Sequence, residues 1–165
     1  MVFLLKTDKQ SERKDGEKAM AVKTFRGLKT KIQRSVNKAL EGDVLEAIQT
    51  EQISQIQDKV YGVYNPEVYE RRYGNGGLMD EENIKGEVKK GVLTVENKTP
   101  PNPEARDGAT VDKNLIEVIE TGIGYDYDNP GARPFIDATI QALRASGAIV
   151  NALKIGLEKQ GIKVK

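Results

Sequence analysis

The chain has 165 residues, a net charge of +1 and neither histidine, cysteine nor tryptophan. A hydrophobic fraction of 38% in a chain of this length predicts one domain with a modest core of isoleucine, valine and leucine. The lack of cysteine excludes disulfides and thiolate metal sites and favours a reducing compartment. Without histidine, a serine or threonine nucleophile lacks its usual base, so we expect a protein that is not an enzyme and uses no cofactor or metal.

The first residues are predicted to form an arm ahead of the folded domain. The apolar opening Met1–Leu5 is too short for the core of a signal peptide, which predicts production in a cytoplasm. Residues 6–20 are polar and mixed in charge, without apolar periodicity. We predict a flexible arm over residues 1–20 that orders against a partner, and a single domain over residues 21–165.

A long helix is predicted from about Met20 onward, because apolar residues recur at steps of three and four. Gly42 and Asp43 fall inside this run, and we expect one helix that is bent or briefly interrupted there. The stripe consists of Phe25, Leu28, Ile32, Val36 and Leu40, followed by Val44, Ile48, Ile53, Ile56 and Val60.

Charge is segregated along this helix. Residues 23–38 include basic side chains and no acidic one, whereas residues 41–58 include acidic side chains and no basic one. At 100° per residue, a basic face lies broadly opposite the apolar stripe. This face is either simply solvated, or it turns toward nucleic acid or an acidic neighbouring subunit. The candidate basic face consists of Lys23, Arg26, Lys31, Arg34 and Lys38.

The segment after this helix is rich in tyrosine and arginine. Both residue types are enriched at the centres of protein interfaces, which predicts a contact surface. The Gly-rich residues 74–77 that follow lack the Gly-Lys-Ser/Thr ending of a phosphate loop, so a turn is expected. The candidate protein interface consists of Tyr61, Tyr64, Tyr69, Arg71, Arg72 and Tyr73.

The middle of the chain predicts a hairpin and a short helix. Residues 83–88 and 92–95 are expected to be strands around a loop at residues 89–91, and the proline-rich residues 98–109 an exposed loop. Asp112 can cap a short helix that ends near Gly122. Residues 125–131 superficially resemble a calcium loop, but Pro130 stands where a ligand is needed, so an ordinary turn is favoured. The adjacent Asp80, Glu81 and Glu82 point in different directions and do not suggest acid–base catalysis.

One long terminal helix is predicted from Pro134 to Gly161, with a single apolar stripe flanked by alanines. The expected fold is therefore α+β, with long N-terminal and C-terminal helices packed on a small antiparallel sheet. The stripe consists of Ile136, Ile140, Leu143, Val150, Leu153 and Leu157.

The order of the motifs resembles the tail-component or neck family of tailed bacteriophages, in the branch found in phages and prophages of Gram-positive bacteria. The resemblance covers about residues 22–162 and includes the tyrosine-rich segment. Its second motif is imperfect, since Thr121 precedes Gly122 instead of following it. The matching motifs are Gly77-Leu78 with Asn83-Ile84, Glu120-Thr121-Gly122-Ile123-Gly124, and Arg133-Pro134-Phe135.

This resemblance implies a structural virion protein that forms a ring, typically hexameric, at the head–tail junction. The implied partners are a head-completion or connector protein and a tail terminator or tail tube protein, with transient contact to genomic DNA and none to membranes. Assembly would take place in the cytoplasm of the bacterial host. Two alternatives stay open: a nucleic-acid-binding protein that uses the basic face with Arg71 and Arg72, and a cytoplasmic adaptor that binds another protein.

Overall fold

The computed structural model describes residues 24–63, 65, 72–100, 114–124 and 131–164. The predicted N-terminal arm, the proline-rich loop beyond Pro100 and the turn at residues 125–130 lie outside these ranges. Among the described helices, none is long and apolar enough to cross a membrane.

A continuous helical segment runs from Phe25 to Tyr61 and confirms the predicted long helix. It consists of α1 (Phe25–Ala39), a π-helical turn (Leu40–Val44), α2 (Leu45–Ile56) and a second π-helical turn (Gln57–Tyr61). Thr24 caps its start, because the Thr24 side chain accepts a hydrogen bond of 3.1 Å from the Gly27 amide. The interruption predicted at Gly42 is therefore a π turn inside the helix rather than a break.

The apolar stripe of this helix is buried only in its later part. Val44, Ile56 and Val60 are at most 2% exposed, whereas Phe25 is 84% exposed, and Leu28 and Ile32 are also exposed. The prediction of burial is wrong for these three residues. The buried residues of α1 are instead Ser35 and Ala39, because the C-terminal helix packs there with its own small residues.

The hairpin was predicted correctly and is longer than expected. Strand β1 (Ile84–Lys89) pairs antiparallel with β2 (Val92–Asn97), and Lys89 opposes Val92 next to the turn. Lys90 and Gly91 form the two-residue turn with φ of 53° and 81°. Two positive φ values give the turn a twist that matches that of the strands, which favours glycine at the second position.

The hairpin lies along the long helix. The Gln49 side chain donates to the Ile84 carbonyl at 2.9 Å, Gly86 fits against Leu45, and Gly91 approaches the side chain of Gln33. A helix of sixteen residues rises about 24 Å, and seven residues of strand span about 23 Å. The two elements therefore stay in contact over the whole length of the hairpin.

Helix α3 (Leu115–Thr121) is the predicted short helix. Its N-cap is Asn114, whose side chain accepts from the Ile116 amide at 3.2 Å, rather than Asp112, which lies outside the described residues. The helix ends at Gly122, which has a φ of 70°. Glycine adopts this left-handed conformation without a steric penalty, so the predicted end is confirmed.

The terminal helix is two helices, and the prediction of a single one is wrong. Helix α4 (Phe135–Ser146) and helix α5 (Ala148–Lys159) are separated by Gly147, which has a φ of 65°. Ile140 and Val150, both assigned to the buried stripe, are exposed, and Val150 follows the break at Gly147 where the chain changes direction. The end at Gly161 is confirmed, since the Ile162 amide donates to the Leu157 carbonyl at 3.0 Å as in a Schellman motif.

The two terminal helices pack mainly on the long helix, α4 on α2 and α5 on α1 with its π turn. Gly156 of α5 touches Ala39, where an added Cβ would lie 2.6 Å from the Ala39 Cβ. The main core is formed where the end of the long helix meets the loop before the hairpin, α3 and α4. The fold class is α+β, as predicted, and this core contains Ile56, Val60, Leu78, Ile119 and Phe135.

Candidate functional site

The glycine turn before the hairpin is held by close backbone contacts. A Cβ on Gly77 would lie 2.3 Å from the Tyr73 carbonyl oxygen, so only glycine fits this position without movement of the chain. Asp80 closes the turn, because its carboxylate accepts from the Gly76 amide at 2.7 Å and from the Glu82 amide at 2.9 Å. The carboxylate of Asp80 is thus a structural group, while Glu81 and Glu82 are exposed.

An amide network joins this turn to the hairpin. The Gly77 carbonyl accepts from the Asn83 side chain at 3.0 Å and from the Thr99 hydroxyl at 3.2 Å. The Leu78 carbonyl accepts from the Asn97 side chain at 3.0 Å. The two parts of the first sequence motif, Gly77-Leu78 and Asn83-Ile84, are therefore hydrogen-bonded to each other.

A second joint connects α3 to α4. The Arg133 amide donates to the Ile119 carbonyl at 2.9 Å, and a Cβ on Gly122 would lie 2.5 Å from the Ala132 nitrogen. The Glu120 carboxylate accepts a hydrogen bond from the Ile136 amide in the first turn of α4. The glycine and arginine motifs of this region set the direction of the chain into α4.

The two joints share one core. Leu78 from the first joint, Ile119 next to the second and Phe135 at the start of α4 belong to the same buried cluster. We call this region the motif junction, defined by Gly77-Leu78, Asn83-Ile84, Glu120–Gly122 and Arg133–Phe135. Its side chains connect elements and do not present a nucleophile paired with a base.

Burial raises the pKa of the Glu120 carboxyl above its usual value. The hydrogen bond from the Ile136 amide opposes this change because it stabilises the carboxylate, whereas the nearby Asp137 raises the pKa further. Glu120 is the acidic group of the motif junction whose protonation is coupled to folding. No local pattern around Glu120 indicates this role, since its partner lies sixteen residues later.

The described part of the tyrosine–arginine segment forms a small cluster in which Tyr73 is exposed and Tyr61 and Arg72 are half-buried. The rings of Tyr61 and Tyr73 meet edge to face, with centroids 5.0 Å apart and an interplanar angle of 72°. Arg72 donates to the Pro100 carbonyl at 2.6 Å. Tyr61 also packs against the main core, while Tyr73 is 49% exposed. Tyr64, Tyr69 and Arg71 lie outside the described residues.

The basic face predicted on the long helix is exposed. Arg26, Lys31, Arg34 and Lys38 are all exposed, and none of them forms an ion pair within the part of the chain that the structure describes. Lys23 lies outside that part. In the acidic half of the helix, Asp43 is paired with Lys159 of α5.

Sequence reasoning missed the polar residues that hold the motif junction together. Asn97 and Thr99 bond to a turn about twenty residues earlier, and a local pattern cannot reveal such a distant partner. Within the described ranges, no group of three acidic side chains is placed to hold a metal ion.

A family model described as YomN matches residues 24–159, which is most of the chain. No curated protein and no solved structure matches the chain.

Proposed function

The chain belongs to the YomN family, which is associated with Bacillus phages and prophages, and from this premise we propose that it is a structural virion protein of the head–tail junction. In this proposal the protein forms a homo-oligomeric ring, with six copies, in the neck of the particle. The ring joins the head-completion or connector protein to the tail terminator or tail tube. The protein acts by assembly and carries out no reaction.

The motif junction carries this proposal. The motifs that resemble the neck family are far apart in sequence, yet they meet at two joints on one buried core. The resemblance thus concerns one three-dimensional feature instead of several separate short matches. A family of ring subunits needs such a rigid joint, because the orientation of the helices sets the angle between neighbouring copies.

The tyrosine–arginine cluster is the surface that we propose for the contact with neighbouring virion proteins. Tyr73 is exposed beside Tyr61, and Arg72 is fixed by the Pro100 carbonyl. A fixed arginine and an aromatic pair lose little side-chain freedom on binding, which favours a strong contact. The remaining members, Tyr64, Tyr69 and Arg71, adjoin this cluster in sequence.

Replacing Arg71 and Arg72 together by alanine tests the proposal. We expect the isolated subunit to stay folded, because the core lies elsewhere, and particle assembly to stop with separate heads and tails. Electron microscopy of lysates measures the fraction of joined particles. An Arg144→Ala variant, which removes an exposed arginine from α4, is the control and should give normal particles.

Two results contradict the proposal. The double variant could give normal virions that fail only when DNA is ejected, which would place the arginines at the lumen of the ring. A particle reconstruction could also show the chain away from the head–tail axis. The first result would contradict only the assignment of the tyrosine–arginine cluster as a protein interface. The second result would contradict the neck function itself.

A further inference from the structure

One exposed row of side chains runs along the whole long helix at steps of four residues. Every member of the row is exposed. A four-residue row drifts around an α-helix by about 40° per step. The π turn at Leu40–Val44 has more residues per turn and offsets this drift, so the central part of the row is straight. The exposed row consists of Arg26, Thr30, Arg34, Lys38, Gly42, Glu46, Thr50, Ser54 and Asp58.

Two pairs of positions equivalent about Gly42 carry opposite charges, and a third pair, Arg34 and Thr50, has only one charge. Lys38 and Glu46 are equally far from Gly42 on its two sides, and so are Arg26 and Asp58. The hydroxyl residues Thr30 and Ser54 also occupy equivalent places. In an antiparallel second copy, Lys38 of each chain therefore lies opposite Glu46 of the other chain. The contact then has two such ion pairs, related by a two-fold axis.

Several residues of the row do not stabilise the isolated chain, although Glu46 lies near Lys159 of α5. Arg34 and Lys38 are like charges four residues apart, which is unfavourable on a helix surface. Arg26 in the first turn and Asp58 in the last turn each have the sign that the helix dipole disfavours. A Cβ on Gly42 would meet nothing within 4 Å, although glycine weakens an exposed helix relative to alanine.

We propose that the exposed row binds the exposed row of a second copy of this chain, antiparallel and centred on Gly42. The central part of the row runs nearly along the helix axis, so two such helices cross there at a small angle, and the drift of the row on either side confines close contact to the centre. The missing side chain at Gly42 lets the two backbones approach there, and one Lys38–Glu46 ion pair flanks the crossing on each side. The contact is small, so the pair is weak, reversible and favoured by low salt.

This pairing is separate from the ring contacts of the proposed function. A two-fold contact uses the same patch on both copies, whereas a ring joins two different patches of each subunit. The pairing therefore does not depend on whether the protein occupies the phage neck.

Charge reversal at the two sides of Gly42 tests the pairing. Lys38→Glu alone and Glu46→Lys alone each create two like-charge contacts, and we expect self-association at low salt to weaken about tenfold or more. A one-to-one mixture of these two variants restores both ion pairs, and so does the double variant by itself. Sedimentation equilibrium measures the association constants, and circular dichroism verifies that each variant is folded. Lys29→Glu, with the same charge change on the same helix but off the row, should associate like the native chain.

Disulfide crosslinking tests the antiparallel orientation, because the chain has no native cysteine. Residues 38 and 46 flank the crossing, so Lys38→Cys mixed with Glu46→Cys should crosslink as a heterodimer, which keeps the second Lys38–Glu46 ion pair. Crosslinking of each variant with itself should be slower, and high salt should suppress all of it. A native chain that stays monomeric at low salt and about millimolar concentration, or single charge reversals that leave its association unchanged, would overturn the pairing.

Discussion

Glu120 is a single residue that ties two helices together. It lies near the end of α3, and its carboxylate accepts from the Ile136 amide at the start of α4. An acidic group at a helix N-terminus satisfies one of the amides that have no partner within the helix. Partial burial opposes the charge of the same carboxylate, and this conflict makes its protonation depend on folding.

Replacement of Glu120 by glutamine should change how stability depends on pH. Because the pKa of Glu120 is raised in the folded state, the folded protein holds this proton more tightly than the unfolded chain. The contribution of Glu120 to stability is therefore fully present below its unfolded pKa of 4.5 and is lost as pH rises through the folded value. Glutamine can still accept from the Ile136 amide but cannot ionise.

Thermal melting of Glu120→Gln and the native chain at pH about 4 and about 7 measures this effect. We expect similar melting temperatures at the lower pH and a higher one for the variant at the higher pH. A control substitution, Glu41→Gln at an exposed position within the long helix, should show no such change. A difference between Glu120→Gln and the native chain that is the same at both pH values would contradict the argument.

Among the elements, α4 and α5 show where helix prediction from periodicity succeeds and where it fails. Leu143 lies in the predicted stripe and is buried, but Val150, also in the stripe, is exposed. Each helix keeps a period of three and four residues, so the pattern continues across Gly147 although the chain turns there. An isolated glycine is tolerated within a helix, so the continuous apolar pattern outweighs the turn signal of Ser146-Gly147 in a prediction from sequence.

Leu143→Ala should therefore destabilise the fold more than Leu153→Ala. Leu143 is 6% exposed, and truncation of a buried leucine costs about 2–5 kcal/mol. Leu153 is half-buried, so the loss there should be below about 2 kcal/mol, since less apolar area is removed from the interior. Urea unfolding of both variants gives the two free energies. A larger loss for Leu153→Ala would show that α5 carries more of the core than its exposure indicates.

At the scale of the molecule, the class of fold could be predicted from the sequence, but the way its helices pack against one another could not. The long helix, the Lys90-Gly91 hairpin and the helix end at Gly161 follow from local periodicity and turn chemistry. The contact of Gly156 with Ala39 does not follow from local periodicity, because small residues give no periodic signal. For the candidate site, the spacing of basic residues marks the basic face, of which Arg26, Lys31, Arg34 and Lys38 are exposed. The hydrogen bonds of the motif junction join residues too distant for sequence reasoning.

Binding to DNA should be weak and strongly weakened by salt. The basic half of the long helix is followed by an acidic half, and the net charge of the chain is only +1. Each phosphate contact contributes about one unit to the slope of log affinity against log salt. We expect a slope no steeper than about two to three in a filter-binding titration with duplex DNA, reduced further by Lys31→Glu.

A steeper slope, together with tight binding at physiological salt, would favour the nucleic-acid-binding alternative. Lys85→Glu changes the net charge by the same amount but lies on the hairpin. If Lys31→Glu lowers the salt slope of DNA binding more than Lys85→Glu does, the helix contacts the DNA directly.

The π turn at Leu40–Val44 fixes the rotational phase between the two halves of the long helix. A π turn contains one residue more than an α-helical turn, so its loss would rotate everything before it by about 100° relative to α2. Ala39 would then face away from Gly156, although no side chain in either helix had changed. At this point of the chain, the number of residues matters more than their identity, and a one-residue deletion is more disruptive than most substitutions.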